Sequence, residues 1–363
     1  ANHPFNPFGV DLNAGENFAL IGRRPIEGGP RVFTQDVNTY YIATGLEGGL
    51  DWAERMLYWD MNAALSKNKA QQVFRNGYNV KNLKIALGDP AVCAATPGCT
   101  PLNLFGGQGA DGNGTITPEM LDYVRITTRD ASSNELGLFS ANLSGGLVDL
   151  DTGPVVFAAG YEYRHYAGDY SPDAVRTRGE SQDSPAIPSS GAYFVNELYG
   201  EINFPLSDAE SLLRQVDFSA ALRYSRYSTF GSEVTNKFGL RWQPTDEVVL
   251  RATQSTGFRA PFIGELFGLS QFGASITDAC SNAVDDADGN DTTPTETNCR
   301  ALGVPNGYEQ INPQITTNTG GNPNLQPETS DSYSLGVLYG PDWAENLSWS
   351  ERMEYELTYY NHK

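Results

Sequence analysis

The stretch Leu250-Arg-Ala-Thr-Gln-Ser-Thr-Gly-Phe-Arg-Ala-Pro-Phe-Ile-Gly-Glu-Leu-Phe-Gly268 is answered further along by Gly320-Gly-Asn-Pro-Asn-Leu-Gln-Pro-Glu-Thr-Ser-Asp-Ser-Tyr-Ser-Leu-Gly-Val-Leu-Tyr339. Each half joins a strand-like alternation to a loop punctuated by proline. In the first, Gly257 eases a tight backbone, and Pro261, which lacks an N–H, ends ladder pairing. In the second, Pro323 and Pro327 shape a return before the alternation resumes. Together the halves read as one strand leaving a sheet, a long excursion, and the next strand re-entering.

The same alternation recurs along the chain. Phe218, Ala220, Leu222 and Tyr224 share one face of a strand, with Asp217, Ser219, Ala221 and Arg223 on the other. Val155, Phe157, Ala159, Tyr161 and Tyr163 likewise oppose Val156, Ala158, Gly160, Glu162 and Arg164. One face is apolar and aromatic, the other polar and often charged, which is the period-two signature of a sheet between two different environments.

Ten strands follow, over residues 32–46, 55–70, 135–150, 155–168, 192–205, 216–229, 233–243, 247–258, 329–340 and 347–360. Short turns such as Asp151-Thr-Gly-Pro154 fall at every other junction. Long stretches around 71–134, 169–191 and 259–328 occupy most of the others. Antiparallel strands alternate direction, so the long loops gather at one end. This is the layout of a transmembrane antiparallel β-barrel with short turns on one side and long extracellular loops on the other. A soluble sandwich or propeller also alternates, but loops this long at one end are unusual in compact soluble domains.

Composition agrees. The chain carries 38 Gly, 21 Pro, 19 Tyr and 17 Phe in 363 residues, which suits strands and turns. Its mean hydropathy is −0.40, and no apolar run reaches the length of a membrane helix. A barrel strand shows lipid only every second residue, so such dilution is expected of it. A net charge of −20, from 44 acidic and 24 basic residues, disfavours nucleic acid as a partner. The opening Ala1-Asn-His-Pro-Phe-Asn-Pro-Phe has neither the charged start nor the apolar core of a secretory leader.

The four cysteines fall as Cys93 and Cys99, then Cys280 and Cys299, each pair inside a long loop. Local disulfides in an oxidising compartment fit that spacing; free or metal-binding thiols are the alternative. The three histidines lie far from both pairs, which leaves zinc little support.

The paired stretches, carrying Gly257-Phe-Arg-Ala-Pro261 and Asn322-Pro-Asn-Leu-Gln-Pro-Glu328, closely resemble the strands flanking a large external loop in TonB-dependent outer-membrane receptors. Asn6-Pro-Phe-Gly-Val-Asp11, Pro30-Arg-Val-Phe-Thr-Gln35, Cys99-Thr-Pro-Leu-Asn-Leu-Phe-Gly106, Ala158-Ala-Gly-Tyr-Glu-Tyr-Arg164 and Ala221-Leu-Arg-Tyr-Ser-Arg-Tyr-Ser-Thr-Phe-Gly231 extend the resemblance over nearly the whole chain. It implies an outer-membrane receptor of a Gram-negative bacterium that takes up a scarce nutrient, an oligosaccharide or a siderophore. Energy would come from the TonB–ExbB–ExbD complex through an N-terminal plug and TonB box. It also implies that this chain is the central part of a barrel of 22 strands. A passive porin-like channel and a soluble all-β binding protein are the competing readings.

Within the resemblance, Phe258 and Arg259 mark the strand exit, and Asn322, Pro323, Pro327 and Glu328 the return. Arg259 either meets a plug carboxylate or ligand, or bridges to Glu265 and loop backbone. Loop aromatics Tyr166, Tyr170, Phe262, Phe267, Phe272 and Tyr308 either stack on a sugar or aromatic siderophore or pack the loops together. An acidic chain gives no electrostatic reason to expect an anionic ferric complex, which tilts the ligand towards neutral oligosaccharide.

No cofactor is required. Asp285-Asp-Ala-Asp-Gly-Asn-Asp291, through Asp286, Asp288, Asn290 and Asp291, offers oxygen ligands for extracellular Ca²⁺, or is simply a solvated acidic tip. Asp111-Gly-Asn-Gly-Thr-Ile-Thr-Pro-Glu119 imitates an EF-hand but lacks both anchoring carboxylates; it reads better as a turn before a helix capped by Thr117. Gly107-Gln-Gly-Ala-Asp-Gly112 lies in a loop, without the strand and helix that a dinucleotide site needs. No nucleophile, base and orienting group assemble, so the chain is not expected to be an enzyme.

Overall fold

The computed structural model describes residues 2–12, 22–107, 114–284, 293–310, 314–349 and 352–363. Its frame is one antiparallel sheet of ten strands: β1 Val32–Trp52, β2 Arg55–Tyr78, β3 Arg125–Leu150, β4 Gly153–Ser171, β5 Ser189–Ser207, β6 Gln215–Tyr227, β7 Gly231–Gln243, β8 Val248–Arg259, and, after an inserted hairpin of β9 Leu269–Ser275 and β10 Gln314–Gly320, β11 Glu328–Tyr339 and β12 Tyr355–His362. Each strand of the sheet pairs with its neighbours in sequence, apart from the hairpin, which pairs only with itself. Residues 53–54, 151–152, 208–214, 244–247 and 340–354 connect strands at one end. Residues 79–124, 172–188, 228–230 and 260–327 connect them at the other.

The turn between β1 and β2 places Ala53 at φ 51° and Glu54 at φ 62°, the left-handed pair that closes a two-residue hairpin. Register then runs unbroken from Trp52↔Arg55 to Val32↔Arg75. Shifts occur in three places, between Phe74 and Gly77, Gly146 and Val148, and Pro205 and Ser207. Each lies towards a strand end, where a bulge bends the ladder with least loss of pairing.

That register sorts side chains. Leu57, Met61 and Leu65 on β2 fall on the face of Leu143 and Phe139 on β3, Tyr161 on β4, Leu198 on β5, Leu222 on β6 and Phe238 on β7. Leu335 and Leu357 continue it on β11 and β12. Apart from the buried Leu57, this face stays open to the surroundings: Leu222 is 54%, Leu335 58% and Leu357 77% exposed. A continuous apolar face of this extent is incompatible with water and matches hydrocarbon.

The strand positions agree with the sequence reading, and several boundaries differ: β1 runs on to Trp52. Residues 71–78 and 125–134, read from sequence as loop, continue β2 and β3. Gln71-Gln-Val-Phe-Arg-Asn76 puts one apolar residue, Val73 or Phe74, on each face among polar neighbours, so it shows no alternation although its backbone is paired. The last strand begins at Tyr355 instead of residue 347; Asp342–Asn346 instead form a 3₁₀ turn after Pro341.

The long connections carry short helices: α1 Val80–Leu87, α2 Pro90–Ala95 and α3 Pro118–Val124 above β2 and β3, α4 Ala174–Thr177 above β4, and α5 Ile263–Phe267 and α6 Pro294–Ala301 above β8. Asn79 caps α1, accepting from Lys81 N and Asn82 N, and Thr117 caps α3, accepting from Met120 N. Ala86, Leu102, Ile116, Met120, Leu121 and Val124 form a small core of their own above the sheet. Cys93–Cys99 and Cys280–Cys299 are disulfides with Cα separations of 5.3 and 5.6 Å. Closing these short loops stabilises them by about 2 and 3 kcal/mol.

Replacing Leu222 with Arg, on the apolar face, should destabilise the protein in lipid vesicles by ~2–4 kcal/mol in a urea titration. Arg at neighbouring Ala221, on the polar face beside Glu201, should cost under ~1 kcal/mol. Equal costs would contradict the sorting of faces.

Candidate functional site

Two features rise from this frame. The first is a clasp at the base of the largest loop. Arg259 ends β8 directly opposite Glu328, which opens β11. Its Nε and Nη2 donate to Glu328 at 2.9 and 2.8 Å, and its Nη1 and Nη2 donate to Glu265 at 3.0 and 2.9 Å. Glu265 also accepts from Phe262 N at 3.0 Å, tying the first turn of α5. One guanidinium thus spans strand exit, loop helix and strand return through two bidentate pairs, the strongest form of such contact.

The return is fitted closely beneath it. Gly321 N donates to Gly268 O at 2.5 Å and Asn322 N to Glu265 O at 2.8 Å. A side chain at Gly321 would lie 2.5 Å from the Leu266 backbone, so only glycine fits. Leu266 and Pro261 are buried at the same point, whereas Pro323 is exposed. The Arg259 guanidinium, followed by the Phe262 N–H, holds the Glu265 carboxyl below its ordinary range.

The second feature is the polar face of the sheet. Glu197, 3% exposed, accepts from Arg164, from Arg223 at 2.5 Å and from Ser225 at 2.5 Å. Arg164 Nε also meets Glu162 at 2.8 Å, and Arg223 lies 5.9 Å from the centre of the Tyr199 ring. Tyr199 in turn donates to Asn142 at 2.8 Å, and Asn142 to Asp60 at 2.8 Å. The network crosses β2 to β6 and keeps nearly every charge paired.

Towards the long-loop end of this face runs a row of rings. Tyr166 pairs across to Tyr193 with centroids 5.0 Å apart; Tyr193 lies 6.1 Å from Tyr227, which stacks on Phe230 at 4.6 Å. Phe258, which the register of β8 puts on the face of Leu335, meets its end edge-on, 5.9 Å from Tyr227.

Of the six loop aromatics singled out by sequence, only Tyr166 belongs to this row. Tyr170 donates to Asp130 at 3.1 Å and receives Arg176 at 3.3 Å, Tyr308 donates to Asp278 at 3.0 Å, and Phe267 packs its ring on Gly191 of β5. Phe262 is 56% exposed at the clasp, and Phe272 lies in β9 opposite Thr317. Asp286, Asp288, Asn290 and Asp291 lie outside the described residues. Tyr193, Tyr227 and Phe230 were not anticipated. Their signal was face parity, which identifies them only once cross-strand register is known.

The sequence profile described as TonB dependent receptor-like, beta-barrel, matches residues 2–362. This chain belongs to that family. TonB-dependent receptors are transporters, not enzymes, and reside in the Gram-negative outer membrane. A search of curated proteins finds no significant match. Among solved structures, the siderophore receptor PirA from Acinetobacter baumannii is similar, with 15% identity, a TM-score of 0.43, and 85% of this chain and 34% of that one covered. A mutant ferric enterobactin receptor PfeA from Pseudomonas aeruginosa gives 15%, 0.42, 85% and 34%. The RagAB peptide importer in its open-open state gives 12%, 0.48, 93% and 30%. The chain therefore spans about a third of the length of the structures it matches.

The clasp makes a signed prediction. A carboxyl held low stabilises the fold above the ordinary carboxylate range and ceases to do so as pH falls through its lowered value. Limited proteolysis of residues 260–327 in the full-length receptor should therefore quicken on acidification and at neutral pH in Arg259→Gln, with the second effect insensitive to acid. Unchanged cleavage in Arg259→Gln would refute the clasp. In the polar face, Glu197→Gln leaves two guanidinium groups short of a carboxylate. Because Arg164 and Arg223 retain 25% and 38% side-chain exposure, the expected cost is ~1–3 kcal/mol in a urea titration, below that of a wholly buried pair.

Proposed function

We propose that this chain is the central part of the barrel of an outer-membrane receptor that takes up a scarce nutrient with energy supplied through TonB. The observation that carries the reading is the division of one long sheet into an apolar face and a charged, hydrogen-bonded face, in a chain of this family. The apolar face meets outer-membrane lipid and the polar face lines the hydrated interior. The loops around 79–124, 172–188 and 260–327 face the cell exterior, where they capture ligand. Transport requires no resident cofactor, and calcium at Asp286, Asp288, Asn290 and Asp291 would only be an accessory of the outer loop.

Within this reading the row from Tyr166 to Phe258 is the first wall a captured ligand meets. Partly exposed rings beside paired charges suit a neutral, ring-containing solute such as an oligosaccharide, which stacks on aromatic faces while amides and hydroxyls orient it.

Cells carrying the full-length receptor should accumulate labelled neutral oligosaccharides against a gradient, and should stop when TonB is removed. Entry that only equilibrates the sugar, with or without TonB, would favour a passive channel. Recovery of the full-length protein in buffer without detergent would exclude both membrane readings. Tyr193→Ala with Tyr227→Ala should weaken binding of the transported sugar about tenfold; unchanged affinity would remove the ring row from the ligand path.

A further inference from the structure

The clasp ties α5 to β8 and β11, but the helix reaches further across the sheet. Ile263 and Phe267, on one helical face, rest on β4 and β5, with β6 and β7 lying between these strands and β8. Their seat is a cross-strand pair of glycines. Gly168 faces Gly191 in the β4–β5 register. A Cβ at Gly191 would lie 2.5 Å from Phe267 Cγ, and one at Gly168 would lie 3.2 Å from Ile263 Cγ2. Neither glycine is among those with positive φ, so each position needs the missing side chain and not the freedom of the backbone. Ser189, which opens β5, borders the same cleft as Gly264 and Gly268.

The face of this seat gives it meaning. Gly168 and Gly191 lie two residues from Tyr166 and Tyr193 on their strands, hence on the same side of the sheet. The chain therefore leaves β8 beside Phe258, at one end of the ring row, and docks just past Tyr166 and Tyr193, at the other. α5 lies across the long-loop side of the row. It is held at three places: by Arg259 through Glu265, by Gly321 against the buried Leu266, and by the two glycines.

We propose that Gly168 and Gly191 are positioning residues that set the clearance between α5 and the ring row, and with it the largest solute that reaches the rings. The inference rests on the polar face being the hydrated interior, as proposed above, and not on which solute is taken up. A larger side chain at either glycine lifts α5 from the sheet and widens the entrance.

The test uses cells carrying the full-length receptor with Tyr227→Cys, and the parent receptor as background. The four cysteines of this chain are already paired in disulfides. A small maleimide and a maleimide carried on a long polyethylene glycol chain are added from outside. The small reagent should label the introduced thiol, and the large one should lag far behind. Gly191→Val should quicken labelling by the large reagent about tenfold, in keeping with an overpacked contact, and labelling by the small one less than about twofold. Phe267→Ala, which empties the seat without crowding β5, should act in the same direction and keeps the test open if Gly191→Val fails to fold. Together the two substitutions should restore exclusion, since valine then occupies space left by the ring; damage of a merely structural kind would add instead. Equal labelling by both reagents before any change to the seat, unchanged labelling in both seat variants, or a double variant more open than either single one would overturn the proposal. Failure of the small reagent to label at all would overturn it together with the reading of the polar face as a hydrated interior.

Discussion

Hydrocarbon offers no hydrogen-bond partner, so every backbone N–H and C=O within it must pair with another strand. That single requirement organises the molecule. It explains the neighbour-to-neighbour order of the sheet and bulges confined to strand ends; the strands of 19 to 26 residues in β1 to β5 outrun the roughly ten residues that cross hydrocarbon and carry the same ladder beyond it. It also frees the side chains from holding the sheet together. One face is then apolar because of its solvent, and the other is available for chemistry.

The largest loop depends on the same ladder. Arg259 and Glu328 are cross-strand partners before they are an ion pair, so the sheet sets the position from which Glu265 and α5 are drawn in. The loop is attached to the frame at its base, by charge and by close backbone contact at Gly321, and its outer part is held by Cys280–Cys299. The connection above β2 and β3 uses another principle. There a small apolar core and Cys93–Cys99 make a folded cap.

Much of this was legible in the sequence, for physical reasons. Where one face meets lipid and the other water, alternation is strong, and Phe218 to Tyr224 announce β6 directly. Where both faces meet water, as in residues 71–78, the signal vanishes although the ladder continues. Leu347 and Trp349 mimic alternation without belonging to a strand. The clasp was half legible, since Glu265 lies only six residues from Arg259, whereas Glu328 joins only through register. The ring row was invisible for the same reason: Tyr166, Tyr193 and Tyr227 stand far apart in sequence and meet only through the register of β4, β5 and β6. Profile agreement over residues 2–362 confirms the family resemblance read from the motifs around Arg259 and Asn322.

The central claim is the assignment of faces, and β5 tests it most directly. Nitroxide labels placed singly at residues 197 to 202 of the full-length receptor in lipid report their surroundings through collision with oxygen, which concentrates in hydrocarbon, and with a nickel chelate, which stays in water. The account predicts a period of two, with oxygen access highest at Leu198, Gly200 and Ile202 and nickel access highest at Glu197, Tyr199 and Glu201. An inverted phase, or no alternation at all, would contradict it.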